Sequence, residues 1–159
     1  MTRHGMTLIE LMIALAILSI VLTYSLPLGT DYFDKVRVRN ARQFILHALG
    51  VGRAAALGEG REITFCGSAD GSTCDYQWSH GLLLVDILQQ KTLYYWSNPS
   101  KRLTIEWQGW RGDMALSISP YLTEQMLTGT FTITSGDHGE KIILNRVGRW
   151  RVVSFVINR

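Results

Sequence analysis

Between Met6 and Leu28 the chain carries one formal charge, Glu10, in an otherwise apolar run. As a helix rising 1.5 Å per residue this run would extend about 35 Å, enough for a hydrocarbon core of about 30 Å. A carboxylate in such a segment costs about 2.5–3.5 kcal/mol at the bilayer centre and less near the interface, so its default reading is functional, with a partner. An ordinary secretory signal would place its cleavage site behind the apolar stretch, at small residues. Nothing of the Ala-x-Ala kind follows Leu22, and the run is long for the apolar part of such a signal. A plain membrane anchor explains neither Gly5 nor the position of Glu10 five residues later.

The segment Gly5-Met6-Thr7-Leu8-Ile9-Glu10-Leu11, preceded by Arg3 and His4, resembles the class III signal of type IV prepilins and pseudopilins. The resemblance implies cleavage after Gly5 by a dedicated prepilin peptidase. It also implies methylation of the new amino terminus at Met6, and pairing of that amine with Glu10 of a neighbouring subunit during filament assembly. Met6 stands where the commonest pattern has Phe. On this reading residues 1–5 are a leader, 6–28 the transmembrane and assembly half of an amino-terminal helix, and 29–159 a periplasmic globular domain that includes the helix's amphipathic half. Lys35, Arg37, Arg39 and Arg42 lie beyond the apolar run, with Arg3 nearly alone before it. Charge bias by itself favours the opposite orientation. The resemblance overrides it, implying a single pass through the inner membrane before assembly and a pilus location afterwards.

The rest of the chain is one domain's length, with five tryptophans and a mild net charge of +3. Basicity of this size does not argue for nucleic acid; clustering has to. Cys66 and Cys74 are the only cysteines, separated by a stretch rich in Gly, Ser and Asp. In an exported domain they read as one disulfide closing a short loop; a reduced buried pair is the other reading. Their spacing is too long for a Cys-x-x-Cys zinc site, and no second ligand pair follows. No metal or cofactor is expected.

Pro27 and Gly29 are expected to interrupt the first helix, since proline removes a hydrogen bond and favours a kink. Asp31 and Asp34 suit the first turn of a resumed helix. Phe33, Val36, Ala41, Phe44, Ala48, Val51 and Ala55 recur at helical spacing and predict a stripe lying on a sheet. The basic residues from Lys35 to Arg42 are expected to face mostly away from it. After Gly60 the pattern changes to short strands, predicted at 62–66, 82–87, 92–96, 103–107, 115–119, 130–134, 141–146 and 151–157. Phe131 and Ile133 should point inward. The fold class is α+β, type IV pilin-like: a long amino-terminal helix packed against antiparallel sheet.

Several later segments narrow the resemblance to the GspH/FimT family of minor pilins and pseudopilins. They are the Cys66 neighbourhood, 81–86, 129–132, and 142–144 leading into Gly148-Arg149-Trp150-Arg151. The FimT-like branch is associated with DNA uptake in natural transformation, and a Gly-Arg-x-Arg element is the feature associated with DNA there. The resemblance therefore implies a minor pilin that contacts DNA through Gly148, Arg149 and Arg151, helped by Lys141, Arg146 and Arg159, with other pilins as filament partners. A GspH-like structural pseudopilin of a type II secretion system is the alternative.

Physics supports the first reading independently. In an extended strand Arg149 and Arg151 project from one side, about 6.6–6.8 Å apart, and guanidinium groups match phosphate oxygens in pairs. Gly148 permits a tight turn. Trp150 would point to the opposite side and is expected in the core; exposed, it would offer a base-stacking platform. Asp70, Asp86, Asp137 and His138 form no nucleophile–base pattern or metal-ligand spacing. They read as structural or solvated, and Asp137-His138-Gly139 as a turn, so no enzyme is expected.

Overall fold

The computed structural model describes residues 7–98, 100–110, 112, 114–121 and 127–157, and of residues 24–29 the backbone alone. Helix α1 (Leu8–Glu59) is followed by eight strands among the described residues: β1 (Ile63–Gly67), β2 (Gly81–Asp86), β3 (Lys91–Ser97), β4 (Leu103–Gly109), β5 (Leu116–Ile118), β6 (Gly129–Ser135), β7 (His138–Leu144) and β8 (Trp150–Val156). Two compact units divide the chain, Met1–Phe33 and Asp34–Arg159.

In the first unit α1 opens on a capping box. The Thr7 hydroxyl accepts from the Glu10 amide at 3.3 Å, and the Glu10 carboxylate accepts from the Thr7 amide at 2.8 Å. This reciprocal pairing satisfies donors that a helix start leaves over. The backbone stays helical through Pro27 and Gly29, so the expected interruption is absent and Asp31 and Asp34 open no second helix. Among the described residues no helix is long and apolar enough to cross a membrane. Met6 and the side chains of 24–29, which complete the apolar run, lie outside that description.

In the second unit two antiparallel sheets, ordered β3-β2-β1-β5 and β4-β6-β7-β8, share one core with the distal part of α1. The helix buries Val38, Ala41, Ile45, Ala48, Leu49 and Ala56. This stripe is rotated from the expected one: Phe33 is exposed, while Phe44, Val51 and Ala55 sit on its flank. Phe44 stacks on Trp96 of β3 at 4.6 Å, so it guards one side of the core rather than filling it. Phe65, Trp78, Trp107 and Phe131 make an aromatic cluster with ring centroids 4.4–6.3 Å apart, the range in which edge and offset contacts add to burial. Phe131 and Ile133 point inward as expected.

Polar ties fix the helix to the strands. Asp34, buried, accepts from the Ser135 hydroxyl at 2.8 Å and pairs with Arg37 at 2.6 Å. Arg42 reaches Glu140 of β7 at 3.1 Å, so neither Arg37 nor Arg42 belongs to the solvated face expected for them. Asp86 is fully buried 3.5 Å from Arg61. Asp137 shares a two-residue turn with Gly136, while His138 and Gly139 already belong to β7, which starts three residues earlier than the strand expected at 141–146.

Cys66 and Cys74 form the expected disulfide, with Cα atoms 5.7 Å apart. Inside its loop the exposed Asp70 carboxylate accepts from the Ser72 hydroxyl at 2.6 Å, the Ser72 amide at 2.8 Å and the Thr73 amide at 3.0 Å. These bonds, the Ser72 hydroxyl first, hold its carboxyl well below the usual carboxylate range. A depressed folded value means the loop's gain is full above the ordinary carboxylate range and is lost only as pH falls through the lower folded value. The Ser72 and Thr73 amide resonances should therefore stay unchanged on acidification from neutrality to about pH 4, where free aspartates titrate. A midpoint near that pH at either amide contradicts the assignment.

Candidate functional site

The β7–β8 hairpin carries the basic residues singled out above. Its turn, 145–149, is organised by Asn145, whose side-chain oxygen accepts from the Val147 amide at 3.2 Å and the Arg149 amide at 2.8 Å. The Gly148 amide donates to the Asn145 carbonyl at 2.9 Å. Gly148 has φ +72°, and a Cβ there would fall 2.1 Å from Arg53 Nη2 and 2.8 Å from Leu127 Cδ1. The left-handed backbone is what calls for glycine here, and a side chain would in addition displace the Arg53 guanidinium that rests against it. Arg53 donates to the Val147 carbonyl at 2.8 Å, so α1 holds the turn in place.

Strand pairing decides which cations act together. Ile143 faces Arg151 and Lys141 faces Val153 across β7 and β8. Lys141 and Arg151 therefore share one face of the sheet, as diagonal neighbours about 7–8 Å apart. Arg149, Trp150 and Arg151 line a shallow depression of about 180 Å³ together with Ile143 and Asn145. Lys141 is steadied over the Phe155 ring, its Nζ 5.4 Å from the centroid. Lys141, Arg146, Arg149 and Arg151 are all exposed. Glu140 points to the opposite face, where Arg42 pairs with it. The carboxylate closest in sequence is thus withdrawn from the cationic face.

Trp150 corrects the expectation of a core position: it is 48 % exposed. A helix about 10–12 Å wide covers two or three strands spaced 4.7–4.9 Å, and β8 is the last in its sheet. Trp150 sits opposite Leu144, one position along the chain from each arginine, and it lines the same depression as they do. Gly5, Met6 and Arg159 lie outside the described residues. Two contributors escaped the sequence reading. Asn145, followed by Gly148, is a turn pattern that could have been read; Arg53, 94 positions from its acceptor, left no local signal.

Comparison with known proteins bears on both units. Residues 1–26 match the prokaryotic N-terminal methylation motif. Among solved structures, the type IV minor pilin FimU of Pseudomonas aeruginosa PAO1 superposes with a TM-score of 0.54 in one crystal form, at 17 % identity over 72 % of this chain and 91 % of FimU. A second crystal form gives 0.56 over 75 % and 90 % at the same identity. The fold is similar to that of the minor pilin FimU. No curated protein matches the chain. The chain thus carries an N-terminal methylation motif over its first 26 residues and a fold similar to that of a type IV minor pilin.

Proposed function

We propose that this protein is a minor type IV pilin of the FimT-like branch that binds DNA without sequence preference during uptake for natural transformation. A prepilin peptidase removes residues 1–5, Met6 is methylated, and Glu10 pairs with a neighbour's amine as the subunit leaves the inner membrane for the filament. The methylation motif over residues 1–26 supports the processing steps. Coexpression with a prepilin peptidase should yield a chain whose intact mass corresponds to Met6 at the amino terminus plus one methyl group. An unprocessed mass under those conditions contradicts it.

One observation carries the DNA reading: Lys141 and Arg151 are exposed on one sheet face, Arg149 at the adjoining turn lines the same depression as Arg151, and Glu140 is turned to the other face against Arg42. Fixed cations at such spacing suit phosphate oxygens along a backbone. Few contacts mean modest affinity, and a filament presenting several copies raises it through effective concentration. The full-length chain in detergent micelles, titrated with a labelled duplex, should show log Kd rising with log salt at a slope of about 2–4, one step per phosphate engaged. Scrambling the duplex should change nothing. A binding constant independent of salt, or the absence of binding at low salt, overturns the proposal.

A further inference from the structure

A cavity of about 570 Å³ opens along the β4 edge of the second sheet, with Glu106, Gln108 and Thr132 on the sheet face that carries Lys141 and Arg151. Its volume falls within the range of ligand pockets, about 300–1,000 Å³. One wall is the segment from Tyr76 to His80; the other is the stretch from Ile105 to Gln108 of β4 with Thr132 of β6. Thr132 is the direct partner of Lys141, and Gln108, Thr130, Ile143 and Arg151 form one row across the four strands. At 4.7–4.9 Å per strand, β4 lies about 14 Å from β8. One nucleic-acid strand can therefore meet both.

The Tyr76 wall is held under strain. Its φ is 62°, a left-handed conformation that is costly for a non-glycine residue and persists where the surroundings over-determine it. Here the Tyr76 amide donates to the Gly67 carbonyl at 3.1 Å, and the Cys66–Cys74 bridge ties down the loop that precedes it. A Cβ on Gly67 would lie 2.5 Å from the Trp78 amide nitrogen, so the segment rests on β1 because position 67 is glycine. The outcome is a tyrosine 44 % exposed whose ring is not needed for the core.

An aromatic face flanked by amide, carboxylate and hydroxyl groups matches what an unstacked nucleobase requires: a surface to stack on and partners along its edge. Glu106 accepts and does not donate when ionised, so it favours bases bearing an exocyclic amine, as carboxylates do with cytosine. The same charge repels phosphate, leaving the backbone to Lys141, Arg149 and Arg151.

We propose that this cavity receives an unstacked, amine-bearing base of single-stranded DNA whose backbone lies on the arginine face. The inference rests on the DNA-binding reading above and adds strand and base preference to it. The test titrates the full-length chain in micelles with oligo(dC), oligo(dT) and an abasic deoxyribose-phosphate strand of equal length. Oligo(dC) should bind about fivefold or more tightly than the abasic strand, the lower end of what one stacked base supplies, with oligo(dT) between them. Tyr76→Ala should bring oligo(dC) down to the abasic affinity and leave the abasic strand unchanged; Glu106→Gln should erase the difference between oligo(dC) and oligo(dT). The wild-type comparison depends on no variant folding. Equal wild-type affinity for oligo(dC) and the abasic strand overturns the cavity proposal and leaves the arginine reading standing; no binding of any strand overturns both.

Discussion

Phe131→Ala should lower the thermal unfolding midpoint by roughly 10–20 °C, the conversion of a 3–5 kcal/mol loss for a domain of this size. Phe131 is fully buried, and its ring lies 4.4 Å from Trp107, 5.3 Å from Trp78 and 6.0 Å from Phe65. Truncation removes the transfer energy of a whole ring. It also leaves a hole that three large, rigid neighbours cannot collapse into. The loss is a large fraction of the 5–15 kcal/mol that holds a typical domain together. Melting followed by near-ultraviolet circular dichroism, which reads the tryptophan environments, is the measurement; a midpoint within about 2 °C of wild type would show that this cluster is not the core's centre.

Much of this architecture was legible because local chemistry repeats. Strand alternation in Thr130-Phe131-Thr132-Ile133-Thr134 placed Phe131 and Ile133 inward, and both are fully buried. Each of the eight expected strands is present, with ends displaced by at most three residues. Strand ends depend on pairing partners, as where His138 and Gly139 are drawn into β7 opposite Val156 and Phe155. The helix stripe was misplaced because α1 meets two sheets, so its apolar arc is broad and its centre cannot be read from spacing alone. Phe44, against Trp96, belongs to that arc without being buried.

Contacts between distant segments left no trace in the sequence. Arg42 with Glu140 and Asp34 with Ser135 join positions 98 and 101 apart. The first revises the picture of a solvated basic helix face. Of the two edge strands, β4 buries Trp107 against the segment from Tyr76 to His80 and the aromatic cluster, whereas Trp150 opens β8 beside an exposed turn and is half-exposed. Thr7 and Glu10 show the converse. The capping-box pattern was present in the sequence, and Glu10's place in an apolar run drew the argument elsewhere.

The arginine pair is where the functional account is most exposed to test. Arg149→Gln with Arg151→Gln removes two charges and two bidentate donors from exposed positions flanking Trp150. Fold stability should barely change, because exposed substitutions of this kind stay within about 0.5 kcal/mol and Gly148, Asn145 and Arg53 still hold the turn. Binding should change greatly. Charge-assisted hydrogen bonds are worth about 1.5–3 kcal/mol each; discounting for solvent screening at an open surface, their joint loss should weaken DNA binding about 30- to 100-fold. Lys141 and Arg146 would remain, so a residual, weaker interaction is expected rather than none.

The decisive measurement is the salt dependence of duplex binding by the full-length wild type and the double variant, side by side. The account predicts a weaker constant for the variant together with a log–log slope shallower by about 2, since two phosphates go unneutralised. Identical constants and identical slopes would contradict it, and would move any DNA contact away from the β7–β8 hairpin.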